Sequence, residues 1–474
     1  MNSIKKYVSR QLIEQAKILR LSAYNQEGDK NPKRNFYYRI SNHIDNFINK
    51  KNELRWITVP GLRGVGKTTV LAQLFFDYQE NFNGRILYIS LDDVVNKLGG
   101  DLFSVLDAYE ELLGESFSSL SQDILLLVDE AHFDPKWQLA LKSLHDKSRR
   151  IFIISTGSSA IAINRTADVA RRSLVERIYP LKLTEYIMLT NPKSKASLSS
   201  EKIAQALFEG NSASDVYSRL KLLEPKIISY WQENDIKILD RYIRYYSLPS
   251  VVSYTEDVAI YKVLNSVVDR IIGKDLLLTK SFSLPVLEKI PPLLFLVASS
   301  DTRSIGSFAR DLKDINEKTL ISVFRALEDA ELFLRIYPFS LSAPKKVRRP
   351  SKYLFLAPSI RAALIHFTDS RAIDMHHKGK LLEDSIGMYL YCHFVDIIGS
   401  SFGYDDSRGG ADFIIDSQGR RIVIETGWNK KDINQVVRTM ISVKADYGLI
   451  ITNSSSLEIK GNIVIVPFEF FFAQ

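Results

Sequence analysis

Short apolar runs recur between Trp56 and Tyr179, and helical segments separate them. The runs are WITVP, RILYISL, DILLLVD and RIFIIST. Runs of this length and continuity are typical of strands that are buried on both faces of a sheet. Strands that alternate with helices predict a parallel sheet with helices on both sides. We therefore expect an α/β domain over residues 36–180.

The remaining chain divides into four segments. Residues 1–35 begin with an amphipathic helix and continue into a polar linker that contains Gly and Pro. Residues 181–280 have the periodicity of a helical lid, and residues 281–370 have that of helices followed by two strands around a basic turn. Residues 371–474 predict a small α/β domain. The apolar positions of the first helix are Ile4, Tyr7, Leu12 and Ile13.

Composition narrows the class of protein. The 474 residues are 45% hydrophobic and 25% charged, which excludes a wholly disordered chain, a collagen and a disulfide scaffold. The single cysteine, Cys392, cannot form an internal disulfide, so a cytoplasmic protein is expected. No apolar stretch is long enough to predict a membrane-spanning helix. The net charge of +8 permits nucleic-acid binding without requiring it.

The segment GLRGVGKT, Gly61 to Thr68, lies between the first predicted strand and a predicted helix. This G-x-x-x-x-G-K-[ST] pattern is typical of a loop whose main-chain N–H groups bind nucleotide phosphates. Lys67 is expected to contact the β- and γ-phosphates, and the Thr68 hydroxyl to hold Mg²⁺. We expect ATP as the ligand, although the loop does not distinguish ATP from GTP. The expected binding residues are Gly61, Arg63, Gly64, Val65, Gly66, Lys67, Thr68 and Thr69.

Two further strand ends complete this candidate site. DILLLVD ends in Asp129, which could hold Mg²⁺, and the next residue, Glu130, could polarise an attacking water. RIFIIST ends in Thr156, which could sense the γ-phosphate or simply cap a turn. Arg171 and Arg172 could act on a neighbouring subunit's nucleotide or lie on a solvated helix. The predicted catalytic residues are Lys67, Asp129, Glu130, Thr156 and Arg172.

These motifs occur in an order that resembles a known group of proteins. GLRGVGKTT, YISLDD, LLLVDEAHFDPKWQLALKSLHD, STGSS and RRSLVERIYPLKLTEY are similar to the AAA+-related ATPases of archaea and bacteria. In that group a nucleotide domain precedes a winged helix and a nuclease-like domain. The group usually has Gly-Arg before Pro-Leu, so the resemblance assigns the arginine role to Arg172, whereas Arg171 replaces the usual Gly.

Residues 305–356 predict the helices and hairpin of a winged helix. Asn316 is suited to cap its second helix, whose apolar positions face a core. In a winged helix this second helix enters the major groove and the hairpin touches phosphate. The alternative is a protein-binding or lid module with a solvated basic tip. The expected nucleic-acid contacts are Lys345, Lys346, Arg348, Arg349 and Lys352.

Three late carboxylates occur in the order found in the PD-(D/E)XK nuclease fold. Glu383 lies on a predicted helix, Asp412 at the start of a strand and Glu425 at the end of the next strand. The resemblance implies that these three bind a divalent metal ion, for which Mg²⁺ suits the all-oxygen ligands. The pattern's lysine is missing, because Gly427 stands in its place. Lys430 or Lys431 could substitute, and the alternatives are a non-cutting binding domain or three unrelated acids.

Three functions remain open. The chain could be a DNA-associated ATPase whose nucleotide state controls its C-terminal part. It could be a non-hydrolysing nucleotide switch that acts as a signalling or defence sensor. It could also be a metal-dependent DNA nuclease gated by ATP. ATP and DNA are the expected partners, with a second copy of the chain or another protein as a further possibility, and no membrane partner is expected.

Overall fold

The computed structural model describes residues 3–50, 53–158, 167–191, 199–276, 282–339, 349–368, 374–429 and 431–474. The chain forms two compact units. Unit 1 comprises residues 1–179 and 274–281, and unit 2 comprises residues 180–273 and 282–474. In the described part of the chain, no helix is both long and apolar enough to span a membrane.

Unit 1 is built around a parallel sheet of five strands in its described residues, in the order β2-β3-β4-β1-β5. The four predicted strands are all present, which confirms the parallel α/β prediction. Their side chains are almost entirely buried, as continuous apolar runs require when helices cover both faces. The strands are β1 (Trp56–Pro60), β2 (Ile86–Ser90), β3 (Ile124–Asp129), β4 (Ile151–Gly157) and β5 (Leu174–Val175).

The first helix belongs to unit 1 rather than standing apart from it. Ile4 and Val8 are buried in the core of this unit, and the Gln15 side chain bonds the main chain of β2 at Ile86 and Tyr88. Ile13, expected on the apolar face, is 80% exposed because the buried face follows Gln15 instead. The helices of unit 1 are Ser3–Ala23, Asn35–Ile48, Lys67–Asp77, Leu91–Leu98, Leu102–Leu113, Trp137–Lys147 and Ala167–Ala170.

Unit 2 begins with the predicted helical region. Two helices, Ile305–Leu312 and Glu317–Asp329, lie in the segment predicted to form a winged helix, and the Asn316 side chain caps the second of them by accepting the Thr319 N–H at 2.8 Å. The helices of unit 2 are Leu183–Thr190, Ser200–Phe208, Ala213–Glu233, Ile238–Tyr245, Asp257–Arg270, Leu284–Glu288, Ile290–Ala298, Ile305–Leu312, Glu317–Asp329, Pro358–Thr368, Met375–Phe394, Ile433–Val443 and Phe468–Phe471.

A single sheet runs through unit 2, with nine strands in the described residues, in the order β13-β14-β12-β11-β10-β9-β7-β8-β6. We expected separate domains over residues 281–370 and 371–474. The structure joins their strands, because β7 pairs in parallel with β9 at Tyr337–Gly403 and Pro338–Tyr404. The strands are β6 (Thr302–Arg303), β7 (Phe333–Pro338), β8 (Ser351–Phe355), β9 (Ser401–Tyr404), β10 (Phe413–Ser417), β11 (Arg420–Gly427), β12 (Tyr447–Thr452), β13 (Glu458–Lys460) and β14 (Ile463–Pro467).

A buried ion pair fixes the centre of unit 2. Arg361 donates two hydrogen bonds to the Asp384 carboxylate, at 2.5 and 2.9 Å, and both side chains are almost completely buried. The guanidinium also bonds the main-chain oxygens of Ala298 and Tyr353, while Asp384 accepts the Phe355 N–H. These bonds connect the three helices that contain Ala298, Arg361 and Asp384 to β8, and they thereby set the position of the helix that carries Glu383.

His393 should make unit 2 sensitive to acid. Burial and the nearby Lys182 lower the pKa of its imidazole to about 4, and the ring packs against Phe208. The folded pKa lies below the unfolded value, so unfolding takes up a proton between these two pH values. The stabilisation is complete above about pH 6.5 and is lost as the pH falls towards 4, by on the order of 3 kcal/mol.

Urea unfolding between pH 7 and pH 4.5 measures this effect. We expect His393→Phe to reduce the pH dependence of the unfolding free energy relative to the native chain. The exposed His376 provides the control, and His376→Phe should leave the dependence unchanged. Identical pH profiles for His393→Phe and the native chain would contradict the assignment.

Candidate functional site

The phosphate loop lies between β1 and the helix Lys67–Asp77, where the motif predicts it. Gly64 and Gly66 have φ angles of 86° and 97°, a region that side chains with a Cβ rarely adopt. Gly61 is required for another reason, since a Cβ there would lie 2.5 Å from the Ile178 main-chain oxygen. The three glycines therefore allow the curled backbone on which anion binding by main-chain N–H groups depends.

Lys67 is folded back over this loop. Its Nζ donates to the main-chain oxygens of Gly61 at 2.8 Å and Leu62 at 3.3 Å, and the residue is buried. The ammonium is thus held over the loop by main-chain acceptors that carry no charge. Val65 is buried and Thr69 is half-buried on the first turn of the helix.

The Asp129 side chain, at the end of β3, contacts three other elements of unit 1, namely the helix Lys67–Asp77, β2 and β4. Its carboxylate accepts hydrogen bonds from the Thr68 hydroxyl at 2.7 Å, from the Tyr88 hydroxyl at 3.1 Å and from the Thr156 hydroxyl. Thr156 can reach it because β4 lies next to β3 in the sheet. The paired Thr68 oxygen and Asp129 carboxylate form an all-oxygen donor set, so these residues fit a Mg²⁺ ion. Burial, with the Asp129 charge, raises the pKa of Tyr88 and keeps its hydroxyl protonated.

Glu130 adopts a backbone conformation that points to a function. Its φ is 52°, in the left-handed region that a residue with a Cβ seldom occupies. Its N–H is held by Asp129 Oδ1 at 3.1 Å and by Thr156 Oγ1 at 3.2 Å. Such strain tends to be kept where the position of a side chain matters. The Glu130 carboxylate lies beside His132, with Oε2 3.4 Å from Nδ1 of that residue.

Sequence reasoning missed a charged cluster beside the loop. The chain returns to unit 1 at Lys274, after a π-helical turn over Ile271–Asp275, and Asp275 is only 5% exposed. Its Oδ1 lies 3.4 Å from Arg63 Nη1 and 3.8 Å from His132 Nε2. Arg63 of the predicted binding loop is therefore paired with a residue more than two hundred positions away, a contact that no local motif signals.

Arg34, assigned to the polar linker from the sequence, also supports the loop. It is 7% exposed, and its guanidinium donates to the main-chain oxygens of Val65 at 2.8 Å and Tyr179 at 2.9 Å. The fork of the guanidinium thus connects the phosphate loop to the chain that follows β5. The only sequence signal for Arg34 is its place in a charged stretch close to Pro32.

Replacing Arg34 should weaken nucleotide binding without touching the nucleotide. We expect Arg34→Ala to lower ATP affinity about 10-fold, or ~1.4 kcal/mol, because the loop loses a charge-assisted hydrogen bond that fixes its shape. Titration calorimetry measures the change. The more exposed Arg39, which bonds the Arg177 main chain at 3.2 Å, supplies the control variant Arg39→Ala. Equal affinities of Arg34→Ala and Arg39→Ala would contradict this role.

Arg172 lies at the opposite edge of the sheet from the phosphate loop. It lines a cavity of about 860 Å³ together with residues that directly precede strands, namely Arg55 before β1 and Arg150 before β4. The loop follows the other end of β1, and the five residues of that strand span about 16 Å. Arg172 also forms a two-point ion pair with Asp146, at 2.7 and 3.0 Å. It cannot contact the nucleotide of its own loop.

The basic hairpin is only partly described. Lys345, Lys346 and Arg348 lie outside the described residues, and Arg349 is exposed. Lys352, expected to contact nucleic acid from the hairpin tip, does not lie at the tip. It lies on β8 with 15% of its side chain exposed, and its Nζ contacts Glu383 and Asp412, the latter at 3.1 Å. The reason is that β8 runs beside the predicted carboxylate cluster, so the Lys352 side chain on this strand faces Glu383 and Asp412.

The structure brings the three late carboxylates together. The Asp412 N–H donates to Glu425 Oε2 at 3.3 Å, and one lysine contacts both Asp412 and Glu383. Burial and the Asp412 charge raise the pKa of Glu425 to about 7. Burial favours the neutral form of Asp412 too, but Lys352 and Lys431 outweigh it and lower the pKa.

This cluster does not fit the predicted metal ion. No group of three or more His, Cys, Asp or Glu side chains is arranged to hold a metal among the residues that the structure describes. The carboxylate oxygens are instead bonded to lysine, threonine and glutamine donors. The prediction of a nuclease metal at Glu383, Asp412 and Glu425 therefore has no support from the donor geometry.

Comparisons with known proteins agree with the loop and the sheet. The family model of the AAA domain matches residues 53–187. The uncharacterized protein MJ1637 of Methanocaldococcus jannaschii is 37% identical over 458 residues, which cover 95% of this chain and 90% of that protein.

Solved structures show weaker likeness. AMPPCP-bound DnaA from Aquifex aeolicus is 17% identical, with 61% of this chain and 88% of that chain covered at a TM-score of 0.26. The ADP form of the Aeropyrum pernix ORC2 protein is 11% identical, with 70% and 92% covered at a TM-score of 0.32. TM-scores this low carry no argument about this chain.

Proposed function

The chain belongs to the same family as MJ1637 of Methanocaldococcus jannaschii and contains an AAA domain, and from this premise we propose that it binds and hydrolyses ATP. One observation carries the proposal. The Thr68 hydroxyl and the Asp129 carboxylate, 61 residues apart, meet at 2.7 Å beside a phosphate loop whose glycines hold the required backbone conformation. A hydroxyl, a carboxylate and a lysine that meet at the carboxyl ends of neighbouring strands are typical of nucleotide phosphate binding.

Each residue has a distinct task in this reaction. The main-chain N–H groups of the loop bind phosphate oxygens, and Lys67 exchanges its carbonyl partners for the β- and γ-phosphates. Thr68 and Asp129 would hold Mg²⁺, which neutralises charge as it develops on the phosphates. Glu130 accepts a proton from the attacking water, and Thr156 keeps Asp129 and the Glu130 N–H in register.

The position of Arg172 favours action between two copies of the chain. Because it lies at the far edge of the sheet, its guanidinium could stabilise phosphate charge only in a neighbouring copy. Its ion pair with Asp146 would keep it oriented until that copy arrives. An arginine supplied in this way typically accelerates phosphoryl transfer by about 10³-fold or more. A homo-oligomer is therefore part of the proposal.

We include DNA as the partner of unit 2. The exposed Arg349 adjoins Lys345, Lys346 and Arg348 in a segment of four cations within five residues of sequence, and the chain as a whole carries a charge of +8. Cations at a hairpin would bind the phosphate backbone without sequence preference, and this binding would weaken as salt rises. Nucleotide state would then control how the chain engages DNA.

Two alternatives belong to other functional classes. A nucleotide switch would bind ATP with no turnover, and the paired state of Arg172 within one copy favours it for the isolated chain. A nuclease-like module over residues 371–474 is suggested by the order of Glu383, Asp412 and Glu425. Since these carboxylates do not fit a metal ion, we derive no cleavage step from them.

Phosphate release measured with and without duplex DNA tests the proposal. We expect turnover of ATP that increases on addition of DNA at low salt and returns to its basal rate at high salt. ATP binding without turnover under every condition would favour the switch. An ATP turnover rate that does not change when DNA is added would contradict DNA as the partner, and the proposed ATPase activity would stand.

A further inference from the structure

The carboxylate cluster of unit 2 already contains its own cations. Lys352 reaches it from β8 and contacts Glu383 Oε1 and Asp412 Oδ1. Lys431 reaches it from the chain after β11 and donates to Glu425 Oε1 at 2.9 Å. Three carboxylates and two ammonium groups thus share a site that opens into a cavity of about 420 Å³.

The cluster offers few free ligand atoms. Asp412 Oδ2 accepts the Thr426 N–H and hydroxyl, each at 2.9 Å. Glu425 Oε2 accepts the Gln435 amide at 3.0 Å. With the lysine contacts, five of the six carboxylate oxygens of Glu383, Asp412 and Glu425 accept hydrogen bonds from within the described residues.

The surroundings of Lys352 suit an ammonium better than a metal ion. Its Nζ lies 5.5 Å from the ring centroid of Tyr404 and 5.6 Å from that of Phe413. Aromatic faces attract organic cations, whereas Mg²⁺ requires oxygen ligands and bound water around it. The lysine is therefore surrounded by two carboxylates and two aromatic rings, and such surroundings suit an ammonium group.

Gly427 and Lys431 form a matched pair. A Cβ placed on Gly427 would lie 2.1 Å from Lys431 Cε and 3.1 Å from its Cδ. The lysine stem therefore occupies the space above this strand position that a side chain would otherwise fill. Lys431 lies four residues after position 427, where the nuclease pattern has its lysine. Its ammonium donates to the Glu425 carboxylate and so replaces the absent lysine.

We infer that Lys352 and Lys431 take the place of the divalent cation in this cluster, so that unit 2 holds its three carboxylates in a metal-free site. The inference rests on the proposed nuclease-like character of residues 371–474. A metal ion would have to displace the Lys352 ammonium from between two carboxylates and would leave that ammonium against Tyr404 and Phe413 without an acidic partner. The module is then suited to hold a ligand and not to cut a phosphodiester.

Counting bound Mn²⁺ by equilibrium dialysis of the full chain tests this inference. The native chain and Asp412→Asn should bind the same number of ions, because neither has a metal site in unit 2. Lys352→Met should gain one ion per chain, and Lys352→Met with Asp412→Asn should lose it again. Lys352→Arg and the more exposed Lys460→Met serve as controls that should gain none.

Each of three results would overturn the inference. One is an Mn²⁺ ion in the native chain that Asp412→Asn removes, which stays measurable even if Lys352→Met fails to fold. Another is a folded Lys352→Met that gains no ion. Magnesium-dependent nicking of supercoiled DNA that Asp412→Asn abolishes would also overturn it while supporting the nuclease. Phosphate release from ATP, measured on the same samples, tests the proposed ATPase separately.

Discussion

A Glu130→Gln variant is expected to bind ATP as tightly as the native chain and to release phosphate at least about 100-fold more slowly. The amide keeps the size and the backbone conformation of Glu130 but cannot accept the proton of the attacking water. The bonds from its N–H to Asp129 and Thr156 do not involve the side chain, so these two residues should stay in place. Calorimetry and a phosphate-release assay measure the two quantities on one sample.

Lys67→Ala is expected to abolish ATP binding, whereas Glu130→Gln is expected to retain it. It removes the loop's cation, so binding itself should weaken beyond detection, and turnover should vanish with it.

Glu14→Gln on an exposed face of the first helix controls for the loss of a carboxylate elsewhere in unit 1. Native turnover in Glu130→Gln would remove this residue from the reaction, and loss of binding in it would assign the residue a structural role.

Arg172→Ala should reduce ATP turnover by about 10³-fold in the assembled protein while leaving ATP binding intact. The reason is geometric, since the arginine lies at the strand starts and the loop lies at the strand ends. A copy that lacks Arg172 should recover activity when it is mixed with a Lys67→Ala copy, because the Lys67→Ala copy supplies Arg172 to the intact loop of its neighbour. Neither variant alone should be active, and phosphate release measures all three samples.

Arg171→Ala provides the matched control for this experiment. Arg171 neighbours Arg172 in sequence but is 76% exposed, and its ion pair is with Asp168. Its loss should change turnover little. Native activity in Arg172→Ala, or an inactive variant that mixing does not rescue, would contradict a role between copies.

The geometry of the candidate nucleotide site could be predicted from the sequence because its parts are local. The loop needs glycines at fixed spacing, and a parallel sheet brings the ends of neighbouring strands to one edge. Asp129 and Thr156 follow from that rule alone, since β3 and β4 are adjacent. The contact of Thr68 with Asp129 was thus implied by one motif and one apolar strand.

The residues that were missed depend on pairings that no local pattern reports. The sequence predicts Lys352 as a nucleic-acid contact of the hairpin tip, because its neighbours in sequence are basic. Its true surroundings follow from the pairing of β7 with β9, which extends one sheet from the hairpin to the carboxylates. Asp275 and Arg34 reach the phosphate loop over long sequence distances, and only the folded chain shows them there.

Titration calorimetry of the native chain with ATP, with and without Mg²⁺, tests the central claim most directly. The account predicts one binding site per chain, with tighter binding in Mg²⁺ and loss of that Mg²⁺ effect in Asp129→Asn. Absence of binding heat with ATP and with GTP, in protein that unfolds cooperatively and is therefore folded, would contradict it.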